Sequence, residues 1–235
     1  KLLFASASTL LFASVVNADS ITVVSWGGAY TKSQVEAYHK PWQNKTGNQV
    51  VSEDYSGGLA EVKAQVESGN VTWDVVDVEL SDALQGCDEG ILETIDPSTL
   101  PAAPDGTPAT KDFMDGALQE CAVGNIVWST IYAYDKTKFS TPPTTMADFF
   151  NVEKFPGKRG MRKLGKAMLE MALMGDGVPA EEVYDLLGTE AGVQRAFAKL
   201  DTIKDHVVWW EAGAQPPQLL ADGEVSMTIT WNGRI

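Results

Sequence analysis

Trp26, Trp73, Trp128, Trp209, Trp210 and Trp231 sit in or beside segments with strand character, in a 235-residue chain holding seven tryptophans. An indole face covers methylene groups and attracts cations. Carboxylates occur in the same neighbourhoods. Asp77 and Glu79 interrupt the otherwise apolar run TWDVVDVEL, which costs free energy unless they are paired or reach solvent. Glu170 stands among apolar neighbours in KAMLEMALM. Aromatic walls with carboxylates suit an organic cation. A loop ion pair for Asp77 and Glu79, and a solvated helix face for Glu170, are the competing readings. In ITVVSWGGAY the pair Gly27 and Gly28 directly follows a strand, between Trp26 and Tyr30. Glycines there let the backbone approach a partner closely. A phosphate is disfavoured, because no Lys-Ser/Thr signature accompanies the turn.

Catalytic signatures are largely absent from the sequence. The two histidines, His39 and His206, are isolated, and no GxSxG, HExxH, GxxxxGK(S/T) or GxGxxG pattern occurs. Two carboxylates far apart in sequence suffice for glycoside hydrolysis, but nothing singles out a pair. A binding site is better supported. Ligands of open α/β sheets bind beyond the carboxyl ends of strands, which makes Trp26, Trp128, Trp210 and Trp231 candidates for the walls of a cleft. Each indole equally suits a core. Trp73 precedes its strand and Trp42 lies on a helix, so both are read as structural.

The elements that must position these residues alternate. Ile21–Ser25 is a strand, Lys32–Lys45 a helix, Gln49–Tyr55 a strand, and Leu59–Ser68 a helix with Leu59, Val62 and Val66 on one face. TWDVVDVEL reads as the next strand, and Ser81–Glu89 as a helix that Ser81 caps. This order predicts a mostly parallel sheet with helices on both faces. Residues 96–112 form a Pro/Ala/Thr-rich surface loop, and Gly124–Asp135 is the longest β-rich run. Helices follow near Lys166–Met174, Ala180–Leu187, Gly192–Ile203 and Pro216–Asp222. VVWWEAG is a strand-to-loop transition, and SMTITW a final strand with only four residues after it.

The formal charge of −14 disfavours nucleic acid and anionic membranes as partners. It fits cationic or neutral solutes, and equally it serves solubility. Residues 1–18, KLLFASASTLLFASVVNA, read as a signal peptide cleaved after Val16-Asn17-Ala18, too short and too rich in Ala and Ser for an anchor. Export makes a Cys87–Cys121 disulfide the favoured pairing, with two buried thiols as the alternative. No histidine or cysteine stands at metal-ligand spacing.

TVVSWGGAY, GNVTWDVVDVE, GNIVWSTIYAYDKTKF, KFPGKRG and LADGEVSMTITWNGRI, in this order after a signal peptide, resemble periplasmic substrate-binding proteins of ABC transporters, in the spermidine/putrescine-binding branch of the family 1 solute-binding proteins. The resemblance covers nearly all of the mature chain. It implies a bilobed type II α/β fold, with lobe one over residues 19–126 and lobe two over 127–235. The return to lobe one that relatives carry falls beyond this sequence, so both lobes are expected to be incomplete. It implies no enzyme activity, no cofactor and a monomer in the periplasm. A small organic cation, a polyamine, is captured between the lobes and delivered to an inner-membrane permease/ATPase complex.

Carried over by position, Trp26, Gly27, Gly28 and Tyr30 match the family's first binding turn. Asp77 and Glu79 fall in the segment after the third strand, where Glu79 and Leu80 depart from the usual Ser and Tyr. Glu170 matches an acidic residue that holds a ligand amine, and Trp231 a stacking tryptophan. Trp128 and Trp210 complete the set. Arg162, Lys163 and Lys166 are more basic than a polyamine site needs, and they favour a ligand with an anionic group. The alternatives are therefore an opine-like or amino-acid-derived solute on the same fold, and a secreted carboxylate-pair hydrolase.

Overall fold

The β-branched run Ile21-Thr22-Val23-Val24 forms the middle strand of a small parallel sheet. The computed structural model describes residues 19–235, so the signal-peptide prediction lies outside them. Strand β1 (Ser20–Ser25) pairs in parallel with β2 (Gln49–Asp54) and β3 (Val75–Val76), in the order β2-β1-β3. Between β1 and β2 the helix Gly28–Gln34 runs through a π-helical stretch, Val35–His39, into Lys40–Thr46, and ends at left-handed Gly47. Helices Ala60–Ser68 and Leu80–Asp88 follow β2 and β3.

Two expectations needed correction here. TWDVVDVEL pairs over only two residues. Asp74 uses its carboxylate, not its backbone, to accept the Thr22 N–H at 2.7 Å, and Asp77 turns its carboxylate to Ser25 and Gln34. Ser81 does not cap its helix. The N-cap residue is Glu79, without a side-chain capping bond, and the Ser81 hydroxyl accepts from Lys166 instead.

Cys87 on that helix is bonded to Cys121. Closing a loop of 34 residues contributes roughly 3–4 kcal/mol through the unfolded state. The loop carries the Pro/Ala/Thr-rich segment, where Asp96 accepts the Ser98 N–H at 2.9 Å and starts the short helix Pro97–Thr99.

The second sheet holds β4 (Thr130–Tyr134), β5 (Arg159–Arg162), β6 (Val207–Trp210) and β7 (Met227–Trp231), in the order β4-β7-β5-β6. Only β4 runs antiparallel, against β7. Of the predicted run Gly124–Asp135, the first six residues stay outside the ladder: Ile126 and Val127 are exposed, and the Asn232 side chain takes the Ser129 N–H. The side-chain alternation of β7 sorts its residues onto two faces. Met227 and Ile229 join a core of Phe149, Phe155, Met161, Met168, Leu173 and Ile203 beneath the helices, while Thr228 and Thr230 are equally buried on the other face. The helices over this sheet are Met146–Phe150, Met168–Gly175, Val183–Leu187, Glu190–Asp201 and Gln215–Ala221. A short helical turn, Asn232–Arg234, follows β7.

Candidate functional site

Carboxyl ends of strands from both sheets meet at one aromatic cluster. Trp26 follows β1, Tyr55 follows β2, and Trp210 and Trp231 end β6 and β7. Trp231 is the hub, with its ring 5.8 Å from Trp26, 6.0 Å from Trp128 and 5.6 Å from Trp210, each close to edge-on. Tyr55 extends the cluster, 5.4 Å from Trp26 and 5.6 Å from Trp73. Edge-to-face packing suits the ring quadrupoles and holds the indoles in fixed orientations. Two glycines make room for them. A Cβ at Gly57, which has φ +86°, would lie 2.2 Å from the Trp26 ring, and one at Gly213 would lie 2.3 Å from the Trp231 ring.

Arg162, the last residue of β5, packs its guanidinium against this cluster, 5.1 Å from the Trp231 ring and 5.6 Å from that of Trp26. Its Nη2 donates to the Ser56 carbonyl at 2.8 Å, and Nη1 lies 3.8 Å from Glu79. Burial lowers the Arg162 pKa, and Glu79 and Asp82 partly offset that. Lys166 has better partners: its Nζ lies 2.9 Å from each of Glu79 Oε2, Asp82 Oδ1 and Ser81 Oγ. Burial opposes its charge, but these acceptors prevail and its pKa is raised. Arg234, just after β7, donates to the carbonyls of Gly27 (2.8 Å) and Trp26 (3.0 Å).

A narrow recess of about 20 Å³ lies among Glu79, Trp128, Arg162, Lys166, Trp210 and Trp231, and it shares Glu79, Trp128 and Trp231 with a cavity of about 1610 Å³ that Trp26, Tyr30 and Arg234 also line. The wall of the recess also includes Thr230 and Ala167. Trp210 Nε1 and Thr230 Oγ1 are buried there without a hydrogen-bond partner. Ala167 has φ +67°, the only positive value outside glycine among the described residues. Backbone strain of that kind costs about 1–3 kcal/mol and concentrates at functional sites. Ala167 leads into helix Met168–Gly175, whose N-terminus has no side-chain cap and adds positive potential at the pocket.

The structure thus brings together Trp26, Glu79, Trp128, Trp210 and Trp231 from the predicted set. Gly27 serves the site through its backbone, where φ +72° presents its carbonyl to Arg234, and Gly28 begins the first helix at φ +62°. Tyr30 packs against Arg234 and donates to Asn125 at 3.3 Å; burial and the charge of Asp77 raise its pKa above the usual range. Asp77 is occupied by Ser25 Oγ and Gln34 Nε2, both at 2.9 Å, and its carbonyl accepts from the Tyr55 hydroxyl. Glu170 is not part of the pocket wall, and its Oε2 is buried without a partner. Lys163 is solvent-exposed, 3.5 Å from Glu211.

The structure adds Tyr55 and Arg234 to the cluster. The signal for Tyr55 was its place at the end of β2 before Ser56-Gly57-Gly58, and for Arg234 its place directly after TWNG. Among the described residues no group of His, Cys, Asp and Glu could hold a metal ion, and no helix is long and apolar enough to cross a membrane.

The profile of the bacterial extracellular solute-binding proteins matches residues 35–235. The chain belongs to that family. A gamma-aminobutyric acid-binding protein from Pseudomonas aeruginosa is 51% identical over 228 residues, which cover 96% of this chain and 63% of the relative. The crystal structure of the binding protein MotA from A. tumefaciens B6, in complex with glucopine, superposes with a TM-score of 0.83 at 37% identity, covering 92% of this chain and 64% of that one. The structure of the Atu4243-GABA receptor gives a TM-score of 0.72 at 34% identity, again over 92% of this chain and 63% of that one. The chain therefore spans a little under two thirds of the relatives' length. These likenesses assign the family's periplasmic-binding-protein-like α/β fold, with one parallel and one mixed sheet, to this chain.

Proposed function

We propose that the protein is the periplasmic solute-binding subunit of an ABC importer, and that its solute is a small amino-acid-derived or opine-like molecule carrying a carboxylate. In this reading residues 19–126 and 127–235 contribute to two lobes that close on the ligand, and the closed form delivers it to a permease/ATPase complex without turnover. The observation that carries the choice of ligand is an excess of donors at the pocket. Arg162 is buried with one hydrogen bond and a distant carboxylate, and the Trp210 indole N–H has no acceptor. A guanidinium has five N–H donors and an indole one, and neither accepts. A ligand carboxylate supplies what they lack, by charge-assisted hydrogen bonds. The faces of Trp26, Trp128 and Trp231 then cover the ligand's methylenes and attract its ammonium, at about 0.5–2 kcal/mol per cation–π contact.

A GABA-binding relative at 51% identity and a glucopine complex at 37% support the same ligand class. The polyamine reading has the acidic charge of the chain in its favour, but it leaves Arg162 and Trp210 unanswered. A thermal-shift and calorimetric screen with 4-aminobutanoate, opines, amino acids and putrescine tests the proposal. The expected result is stabilisation by an ω-amino acid or an opine. Stabilisation by putrescine alone would return the site to the polyamines, and release of product from a glycoside panel would make the protein a hydrolase.

A further inference from the structure

The Lys166 ammonium is the best-satisfied charge at the pocket. An ammonium has three N–H donors and no acceptor. Lys166 Nζ has three oxygen partners, Glu79 Oε2, Asp82 Oδ1 and Ser81 Oγ, each at 2.9 Å. The acceptors belong to the N-terminal end of helix Leu80–Asp88, and the lysine comes from the loop after β5, far away in sequence. Such a nest of two carboxylates and a hydroxyl, beside aromatic faces, is what a ligand ammonium would seek. It already holds one.

Glu79 and Lys166 both line the pocket, so the filled nest opens onto the same space as the Trp128 and Trp231 rings. The unpartnered Trp210 Nε1 and Thr230 Oγ1 line that space too and mark it as a place for a polar ligand group. The Lys166 side chain keeps 38% of its surface exposed, so it stands at the pocket's edge and is not locked into the core.

We infer that Lys166 is a specificity-determining residue: a built-in ammonium that occupies the acidic nest and thereby excludes ligands with two cationic ends. The inference rests on the carboxylate-ligand reading. With the nest filled and Arg162 beside it, a diamine meets two cations on the Glu79 side of the pocket and no free carboxylate there. Like-charge juxtaposition of this kind suppresses the wrong partner. An ω-amino acid meets the same two cations with its carboxylate at Arg162 and its ammonium over the indoles. Removing the Lys166 charge frees Glu79, Asp82 and Ser81 for a second ammonium, with the aromatic wall unchanged.

The test is isothermal titration of the wild type, Lys166→Met and Lys166→Met/Glu79→Gln with 1,4-diaminobutane and with 4-aminobutanoate, each protein checked for an unchanged thermal transition. Lys166→Gln replaces Lys166→Met in both variants if the latter does not fold. The expected result is that the wild type prefers the amino acid, and that Lys166→Met binds the diamine at least 10-fold more tightly than the wild type does. The double variant should lose that gain. A wild type that binds the diamine as tightly as the amino acid would overturn the carboxylate reading itself. A wild type that prefers the amino acid, with no diamine gain in Lys166→Met, would overturn only the role of Lys166. A Lys166→Met protein that folds but binds neither compound assigns the lysine to closure and likewise overturns its role in specificity.

Discussion

Arg159 and Arg162 stand at opposite ends of one four-residue strand, both buried, and their surroundings differ in kind. At the amino end, Arg159 donates to the carbonyls of Phe149 (2.6 Å), Gly157 (2.7 Å) and Phe155 (2.5 Å), with Asn151 at 3.4 Å. Burial pushes its pKa down to about 10. At the carboxyl end, Arg162 makes a single hydrogen bond, has the Glu79 carboxylate 3.8 Å away, and otherwise faces two indoles and a pocket. One guanidinium ties a loop and a helix to the sheet; the other is left with donors to spare. In parallel and mixed α/β sheets the ligand end is the carboxyl end, and this strand shows why: the amino end closes on its own backbone, and the carboxyl end does not.

Arg159→Met should have the largest effect in this comparison. It leaves three close backbone carbonyls short of a donor inside the core, each worth about 1–3 kcal/mol. A loss of about 4 kcal/mol of unfolding free energy in urea is expected, with the ligand affinity of the folded fraction within a few-fold of wild type. A stability change under 1 kcal/mol would mean that water or a shifted side chain replaces the guanidinium, and the two ends would then not differ as described.

Arg162→Met should do the reverse. Lys166 still pairs Glu79 at 2.9 Å, so little charge is stranded and stability should move by about 1 kcal/mol or less. Affinity for a carboxylate solute should fall about 100-fold, roughly 2.7 kcal/mol, by calorimetry. Arg162→Lys should recover only part of it, because an ammonium lacks the planar fork. Equal loss of stability in the two Arg→Met variants would break the comparison.

Next in size, Trp231→Ala should weaken binding by about 10-fold or more, because Trp231 contacts Trp26, Trp128 and Trp210 and lies under Arg162. Trp42→Ala, on helix Lys40–Thr46 away from the pocket, should leave affinity unchanged. Equal losses measured by titration would remove Trp231 from the ligand wall.

The difference between the two strand ends was only partly visible in the sequence. Strand positions follow from β-branched runs, and tryptophans at strand ends follow from those, so the places of Trp26, Trp210 and Trp231 were legible, whereas Trp128 lies before β4, outside the ladder, and joins them through Trp231. The meaning of KFPGKRGMRKLGK was not. Its basic residues look alike in sequence, yet Arg159, Arg162, Lys163 and Lys166 have four different environments, set by which strand face and which distant segment each one meets. The contact of Lys166 with Glu79, Ser81 and Asp82 spans 85 and 84 residues for the latter two, and that of Arg234 with Trp26 spans 208. No local pattern encodes such pairings. Strand length eludes hydropathy for a similar reason: the Asp74 carboxylate takes the Thr22 N–H of β1, and hydropathy does not register that.

The smallest effect concerns the amino end alone. Asp148 accepts the N–H groups of Thr144 (3.0 Å) and Thr145 (3.1 Å), the Thr145 hydroxyl and Lys154, and completes a capping box at helix Met146–Phe150. That helix carries the Phe149 carbonyl to which Arg159 donates. The Thr144 N–H does most to hold the Asp148 pKa at about 2; burial opposes it, and Lys154 and Thr145 assist. An unfolded aspartate titrates at about 3.9. The folded value is the lower one, so this contribution is fully present above about pH 4 and is lost as pH falls towards 2. Solvent near the group keeps it small, about 1 kcal/mol, the usual worth of a cap. Asp148→Asn should therefore lose about that much at pH 6 by urea denaturation and show a flatter fall in stability between pH 4 and pH 2 than wild type. Solute affinity at pH 6 should be unchanged, because the cap supports Arg159 and not Arg162. A parallel fall in the two proteins would detach the cap from the acid response, and a loss of affinity would show that the two ends of β5 are coupled.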